Sequence, residues 1–330
     1  MEFNLFSKDY LEDAAAVLAD QSQRILKRFP LLPRRICDLE VAQHFLEALL
    51  NHSQSNGMVM LESERVVGFI LGYYDKNPFF GDHMWVPFGG IALPHENSYE
   101  VFRALYAAAG DVWVRDGILS HYLICPALDD WMRSAFSLSF GQEQVYAIAP
   151  LQEERKEISL PAGFTMREVI PADAAQLAAK CYWIAEHLNR APVWAPVPAE
   201  HLENIRPAYA ELANDDTSTT WVALDEEEIV SYVCIYTEDI GAIHYLGVLQ
   251  AAHFSAAATH PAYRGKGIGR ALFTHILNVA CEQGHDRIFT DWRITNLEAS
   301  RYWPTFGFEP FSYRLLRRVN PLYKPFLPDN

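Results

Sequence analysis

Between Thr259 and Arg270 the chain reads Thr-His-Pro-Ala-Tyr-Arg-Gly-Lys-Gly-Ile-Gly-Arg, which interleaves glycines with basic side chains. Gly265, Gly267 and Gly269 let a backbone turn tightly and approach a ligand with no Cβ in the way. Arg264, Lys266 and Arg270 place positive charge around the same point. Amides in the first turn of a helix lack intrahelical partners and sit at its positive end, so the pattern is that of a cradle for a phosphate or pyrophosphate. The elements needed to hold it are legible on both sides. His253 to Thr259 reads as an apolar, small-residue strand leading into Pro261. Ile268, Leu272, Ile276 and Val279 or Ala280 recur on one face of a helix that leaves the loop.

Two common phosphate loops do not fit. A P-loop needs Gly-Lys-Ser/Thr, whereas Lys266 is followed by Gly267 and Ile268. A dinucleotide fingerprint belongs after the first strand of a βαβ unit, with an acid about 20 residues on. The Arg-x-x-Gly-x-Gly pattern, with proline and an aromatic just upstream, resembles the acyl-CoA loop of the GCN5-related N-acetyltransferase (GNAT) superfamily. The resemblance continues in Asn296, Ala299, Gly307 and Phe308, whose spacing matches the helix that lies along the pantetheine arm in that superfamily.

The resemblance implies acetyl-CoA as acyl donor. It implies that Arg264, Gly265, Lys266, Gly267, Ile268, Gly269 and Arg270 hold the donor's phosphates, and that Ala257, Ala258 and Thr259 pair with its pantetheine amides like an added strand. Asn296, Ala299 and Trp303 fall along the arm. The chemistry is attack of an amine on a thioester, in which a backbone N–H around Ala257 to Thr259 would stabilise the oxygen. The tyrosine that protonates the departing thiolate in many members aligns with Trp303. Tyr302 is one residue earlier, about 100° around a helix, and reaches the sulfur only if the helix is rotated or kinked at Pro304. Many relatives carry a glutamate on the strand, and 253–259 has none. His253 and His244 have base-like intrinsic pKa values, and Glu238 and Asp239 are alternatives acting through water.

The rest of the chain bounds these expectations. Its 330 residues exceed a usual single domain. Half of them are hydrophobic, which suits a sizeable core. Cys37, Cys125, Cys181, Cys234 and Cys281 are scattered without a Cys-x-x-Cys pair, so reduced thiols in a cytoplasm are expected. No His/Cys spacing suggests a metal site. The N-terminus has no signal core, and no apolar run reaches spanning length, so neither export nor a membrane is expected. A net charge of −15 disfavours nucleic acid. It favours a cationic small-molecule or peptide amine. A monomer or homodimer is left open.

Element order repeats. Helices over 9–29 and 41–51, strands over 58–61 and 66–74, a strand over 85–92, a helix over 99–116 and a strand over 121–125 parallel 164–169, 174–187, 199–213, 220–224 and 229–236. The expectation is an α/β fold of two tandem GNAT-like domains, each a mixed, mostly antiparallel sheet flanked by helices, with residues 1–155 degenerate and 156–330 catalytic. Where the second copy has its glycine loop, the first has Pro94-His-Glu-Asn-Ser-Tyr-Glu-Val-Phe, with Glu96 and Glu100 in place of positive charge. Two alternatives are an acyl-CoA sensor without turnover and an acyltransferase for a thiol-cofactor precursor, since the tandem layout is similar to that of mycothiol synthase. Aromatics Tyr182, Trp183, Trp194, Tyr236 and Tyr245 are candidates for a pocket wall.

Overall fold

A computed structural model of the protein describes residues 2–151, 155–195, 197–236, 245 and 251–323. Strands and helices follow in the order β1 (Glu2–Leu5), α1 (Leu11–Arg28), α2 (Leu39–Leu50), β2 (Ser55–Glu62), β3 (Arg65–Asn77), β4 (Gly81–Val86), β5 (Ile91–Ala92), α3 (Ser98–Arg115), β6 (Ser120–Pro126), α4 (Asp129–Ser137) and β7 (Gly141–Pro150). The second half continues with β8 (Phe164–Glu168), α5 (Ala174–Lys180), α6 (Tyr182–Leu188), α7 (Ala199–Glu211), β9 (Ser218–Asp225), β10 (Glu228–Tyr236), β11 (Ala252–Thr259), α8 (Ile268–Glu282), β12 (Arg287–Arg293), α9 (Leu297–Tyr302) and β13 (Glu309–Arg318).

The described chain falls into two compact units. One holds residues 2–146 and 310–323 together with Tyr245, and the other holds 147–236 and 251–309. The division is therefore not a single cut near residue 155, because the chain returns to the first unit with β13.

In the first unit the strand order is β1-β2-β3-β4-β6-β13-β7, with β5 on β3. Strands β1-β2, β2-β3, β3-β4, β3-β5 and β6-β13 pair antiparallel, and β4-β6 parallel. Ser63 and Glu64 both take positive φ, 50° and 65°, the geometry that closes a two-residue hairpin between twisted strands. The single strand expected over 85–92 is instead two pieces, β4 and β5, with β5 turned back onto β3. Helix α3 buries Val101, Phe102, Leu105, Tyr106, Ala109 and Trp113, a stripe at three- and four-residue spacing, against the sheet core.

His121 is a polar member of that core. Its Nε2 lies 2.9 Å from the Ile118 carbonyl oxygen and must carry the proton, so its Nδ1 accepts from the Tyr106 hydroxyl at 2.7 Å. Burial pushes the imidazole down from 6.5 to about 4, with the nearby Arg317 guanidinium acting in the same direction. The unfolded chain therefore binds a proton below pH 6.5 that the folded chain refuses. Stability is complete above that pH and falls as pH drops toward 4, by about 2 kcal/mol at pH 5 from this group alone. His121→Gln should flatten that part of the pH dependence of urea unfolding; an unchanged slope would mean another group dominates.

In the second unit the order is β7-β12-β11-β10-β9-β8, in which β8-β9, β9-β10 and β10-β11 pair antiparallel and β11-β12 parallel. Strands β9 and β10 bury Val222, Leu224, Ile229, Tyr232 and Cys234 in a core that includes Leu177 of α5. Phe254 of β11 packs edge-on to Phe273 of α8 at 4.9 Å. One long helix over 174–187 is expected from the sequence; Cys181 breaks it into α5 and α6. The charged segment after Pro150 is not a free connector. The Arg155 amide donates to Asn278 Oδ1 at 2.8 Å, Asn278 Nδ2 donates back to the Arg155 carbonyl at 2.9 Å, and Glu157 lies 3.0 Å from His275 Nδ1. Residues 155–157 are thus fixed along the outer side of α8.

Candidate active site

The site begins with a disagreement between two registers. Strand β11 pairs with β10 along its whole length, to Ser231↔Thr259. Its pairing with β12 consists of Ala252↔Ile288 and His253↔Phe289. Beyond His253 the two parallel strands diverge. The β10 register also slips there, from Cys234↔Ala256 to Ile235↔Phe254, so Ser255 is an extra residue in a bulge. A bulge bends its strand and sharpens the local twist, which accounts for the divergence. From Ala256 onward β11 keeps its pairing with β10 and leaves a gap on the β12 side. Ala256 and Ala258 pack as partly buried side chains on the adjoining core and offer little bulk.

At the end of β11 the His260 amide donates to the Val230 carbonyl at 2.9 Å, and the chain turns through a short 3-10 segment, Pro261–Tyr263. Gly265 and Gly267 then adopt φ of +75° and +88°, and Gly267 is the N-cap of α8. The first amide with a helical acceptor is that of Ala271, to Gly267 O at 3.0 Å. Among the described residues, the amides of Gly265 to Arg270 have no acceptor within the chain. A Cβ on Gly269 would lie 2.9 Å from Thr259 Oγ1, so this glycine lets α8 approach the end of β11.

The basic side chains have partners of their own. Arg264 Nε donates to Thr259 O at 3.0 Å, and its Nη1 lies 3.6 Å from Glu298 Oε2. Lys266 Nζ is 4.7 Å from the centre of the Tyr263 ring, and the Arg270 guanidinium is 5.2 Å from that of Phe306. Tyr263 in turn donates to Asp225 Oδ2 at 2.9 Å. The loop's donors without a partner among the described residues are therefore backbone amides, with the cations arranged around them.

Across the gap stands α9. Asn296 caps it, its Oδ1 accepting from the Ala299 amide at 3.2 Å. The expected helix is short: it changes to a 3-10 turn at Trp303–Phe306 and ends at Gly307, φ 90°. The Trp303 ring packs on Phe254 at 4.8 Å and Phe273 at 4.9 Å and brings no hydroxyl. Tyr302 packs on Phe306 at 5.0 Å. Burial pushes its phenol up to about 12, against an opposing effect of the Arg270 guanidinium, so at neutral pH it keeps its proton.

Residues 181–308 match the model of the acetyltransferase (GNAT) family. Residues 181–308 thus carry a GNAT-family acetyltransferase domain. No curated protein matches the sequence. Solved structures with the same fold include a tandem GNAT protein from the clavulanic acid biosynthesis pathway, at 14% identity and a TM-score of 0.55, covering 98% of this chain and 100% of that one. A GCN5-related N-acetyltransferase from Sphaerobacter thermophilus gives 13% identity and a TM-score of 0.62, over 97% and 96% of the two chains. At these identities the likeness concerns fold: two GNAT-like domains in tandem, each with a mixed, mostly antiparallel sheet.

Within residues 181–308 the loop and α9 adjoin: Arg264 reaches Glu298, and the Arg270 guanidinium lies against Phe306 and close enough to Tyr302 to act on its phenol. His253 lies at the closed end of the gap, paired to Tyr236 on β10 and Phe289 on β12. Tyr236 also lines a cleft of about 420 Å³ with Ala208, Glu211, Leu212, Asn214 and Asp215. Glu238, His244 and Asp239 lie outside the described residues, as does most of the segment 237–249. Tyr245 is buried in the first unit instead, where its hydroxyl contacts Ser22 Oγ at 2.9 Å and donates to the Ile36 carbonyl. It walls no pocket of the GNAT domain. Sequence reading missed His187, whose Nε2 is 3.2 Å from Asn296 Oδ1, and the stack of Trp183 on Tyr232 at 5.9 Å. The available signal was the four-residue spacing of Trp183 and His187, which puts both on one face of α6.

Proposed function

We propose that the protein is an acetyl-CoA-dependent N-acetyltransferase in which the second half binds donor and acceptor. The observation that carries this reading is the bulged, diverging β11 ending in a row of unpartnered amides. A gap with a strand edge suits a pantetheine arm, and the amides of Gly265 to Arg270 suit its pyrophosphate. When bound, acetyl-CoA supplies an acyl group activated as a thioester. The chain's contributions are placement and polarisation. The amides of Ala257 to Thr259 hold the arm, and a backbone N–H on this bent stretch stabilises the oxygen that gains charge. Tyr302, protonated at neutral pH, is the proposed proton source for the thiolate. His253 is the proposed proton acceptor, because its cross-strand neighbour Tyr236 lines the cleft from which an acceptor would enter.

Glu211 and Asp215 on that cleft favour a cationic amine. The Thr217 hydroxyl and amide hold the Asp215 carboxyl below its ordinary pKa and keep it charged. The first half is proposed as a degenerate domain without donor binding. Its α3 starts after Asn97, at φ 56°, and Glu100 there is engaged by Arg103 at 2.9 Å. Among the described residues no helix is long and apolar enough to cross a membrane, and we place the protein in the cytoplasm.

The test is release of free CoA from acetyl-CoA with a panel of diamines, amino sugars, amino acids and peptides. Turnover with at least one amine is expected. Tight acetyl-CoA binding without turnover on any of them would favour the sensor alternative, for which the missing strand glutamate and the hydroxyl-free Trp303 speak.

A further inference from the structure

Helix α6 lies over the loop end of β11. Trp183 fixes it there, stacking on Tyr232 of β10 at 5.9 Å and meeting the His260 ring at 5.4 Å. His187 is one turn further along the same face. From that position its Nε2 reaches Asn296 Oδ1, 3.2 Å away, at the cap of α9. Helix α6 packs over the β10–β11 side and α9 follows directly from β12, so the bond links the β11 side to the β12 side of a strand pair whose pairing stops at His253. A side chain of the acceptor-side helix thus spans the gap to the helix on the far wall.

The direction of this hydrogen bond is fixed by chemistry. Asn296 Oδ1 is the oxygen, because it accepts the Ala299 amide. An amide oxygen only accepts, so His187 Nε2 carries the hydrogen and donates, whether the ring is neutral or charged. Capping leaves Oδ1 a second lone pair, and His187 uses it. The bond therefore costs α9 nothing and ties α6 to a residue that is already held.

We propose that His187 is a donor-positioning residue: its hydrogen bond to Asn296 is a clasp that holds α6 across the gap and retains the arm of an acyl-CoA threaded beneath it. This rests on the reading that the gap binds acyl-CoA. Arg264 makes the neighbouring tie, from the loop to Glu298 on α9 at 3.6 Å, but Glu298 is exposed and that pair is screened by solvent. The clasp is the tie that joins α6 to the far wall.

Acetyl-CoA affinity by calorimetry and CoA dissociation by stopped flow test it. A hydrogen bond of this kind contributes about 1 kcal/mol, so His187→Ala should weaken acetyl-CoA binding about 5-fold, chiefly through faster dissociation. His187→Gln, whose amide also donates, should restore most of the loss, which a role in packing alone would not produce. In a double-mutant cycle with Asn296→Ser, which keeps a capping oxygen, the two losses should not add. Unchanged or tighter binding in His187→Ala, or equal losses in His187→Ala and His187→Gln, would overturn the clasp. Failure of the unaltered protein to bind acetyl-CoA would instead overturn the reading beneath it.

Discussion

Gly267→Asp is expected to lower acetyl-CoA affinity by about 100-fold or more while the protein still folds. Gly267 has φ +88°, and a Cβ there meets no atom within 4 Å, so the cost to folding is conformational and not a clash. That cost is about 1–2 kcal/mol for a left-handed residue, and aspartate is among the residues that tolerate it. Gly267 is also the N-cap of α8. An aspartate at an N-cap is favoured over glycine by only a few tenths of a kcal/mol, so a net cost of about 1 kcal/mol remains, small beside the stability of a folded domain. The same carboxylate that steadies the helix then occupies the anion site and repels a pyrophosphate. A small loss of stability with a large loss of affinity is a combination that a damaged core would not give. Calorimetry with acetyl-CoA, paired with thermal unfolding, reads both. Retained affinity would count against the cradle.

The loop was legible because its information is local. Glycines at alternate positions, flanking cations and a three- and four-residue apolar repeat all lie within one stretch of sequence, and each has a backbone consequence that needs no distant partner. The β2–β3 hairpin was legible for the same reason. What escaped the sequence depends on pairing between remote segments. The Ser255 bulge cannot be seen in Ser-Ala-Ala-Ala, where small residues show no alternation, and exists only as a register slip against β10. Cys181 breaks α5 from α6 although the apolar spacing runs on through it. His187 and Asn296 are 109 residues apart, so neither marks the other. The partners of residues 155–157, Asn278 and His275, lie on α8, more than 100 residues away, and leave no mark on that charged stretch. Strand β13 was the largest surprise, since nothing in its composition says that its neighbours come from the first unit.

That placement of β13 leads to the second large effect, in the first unit. Arg314 of β13 is nearly buried. Its guanidinium lies 5.0 Å from the Phe80 ring centre and 5.7 Å from that of Trp85. Its Nε donates to Glu143 Oε2 at 2.7 Å, and the Tyr146 hydroxyl and Gln144 Oε1 lie 3.3 and 3.4 Å from its other nitrogens. Aromatic faces attract a cation and neutral oxygens can share its hydrogens, whereas Glu143 supplies the opposite charge. Glu143→Ala should therefore cost about 4 kcal/mol, because it leaves a desolvated charge and not merely a lost contact. Replacing both partners, Glu143→Leu with Arg314→Met, should recover most of that, since a packed apolar pair has no charge to desolvate. With two units in one chain, a single unfolding midpoint is a poor measure, and amide exchange of β6 and β13 reads the local effect directly. Exchange in those strands should accelerate in Glu143→Ala and return toward its original rate in the double variant. Equal protection in all three proteins would mean that the rings and neutral oxygens suffice to hold the cation, and that the ion pair does not decide where the last strand goes.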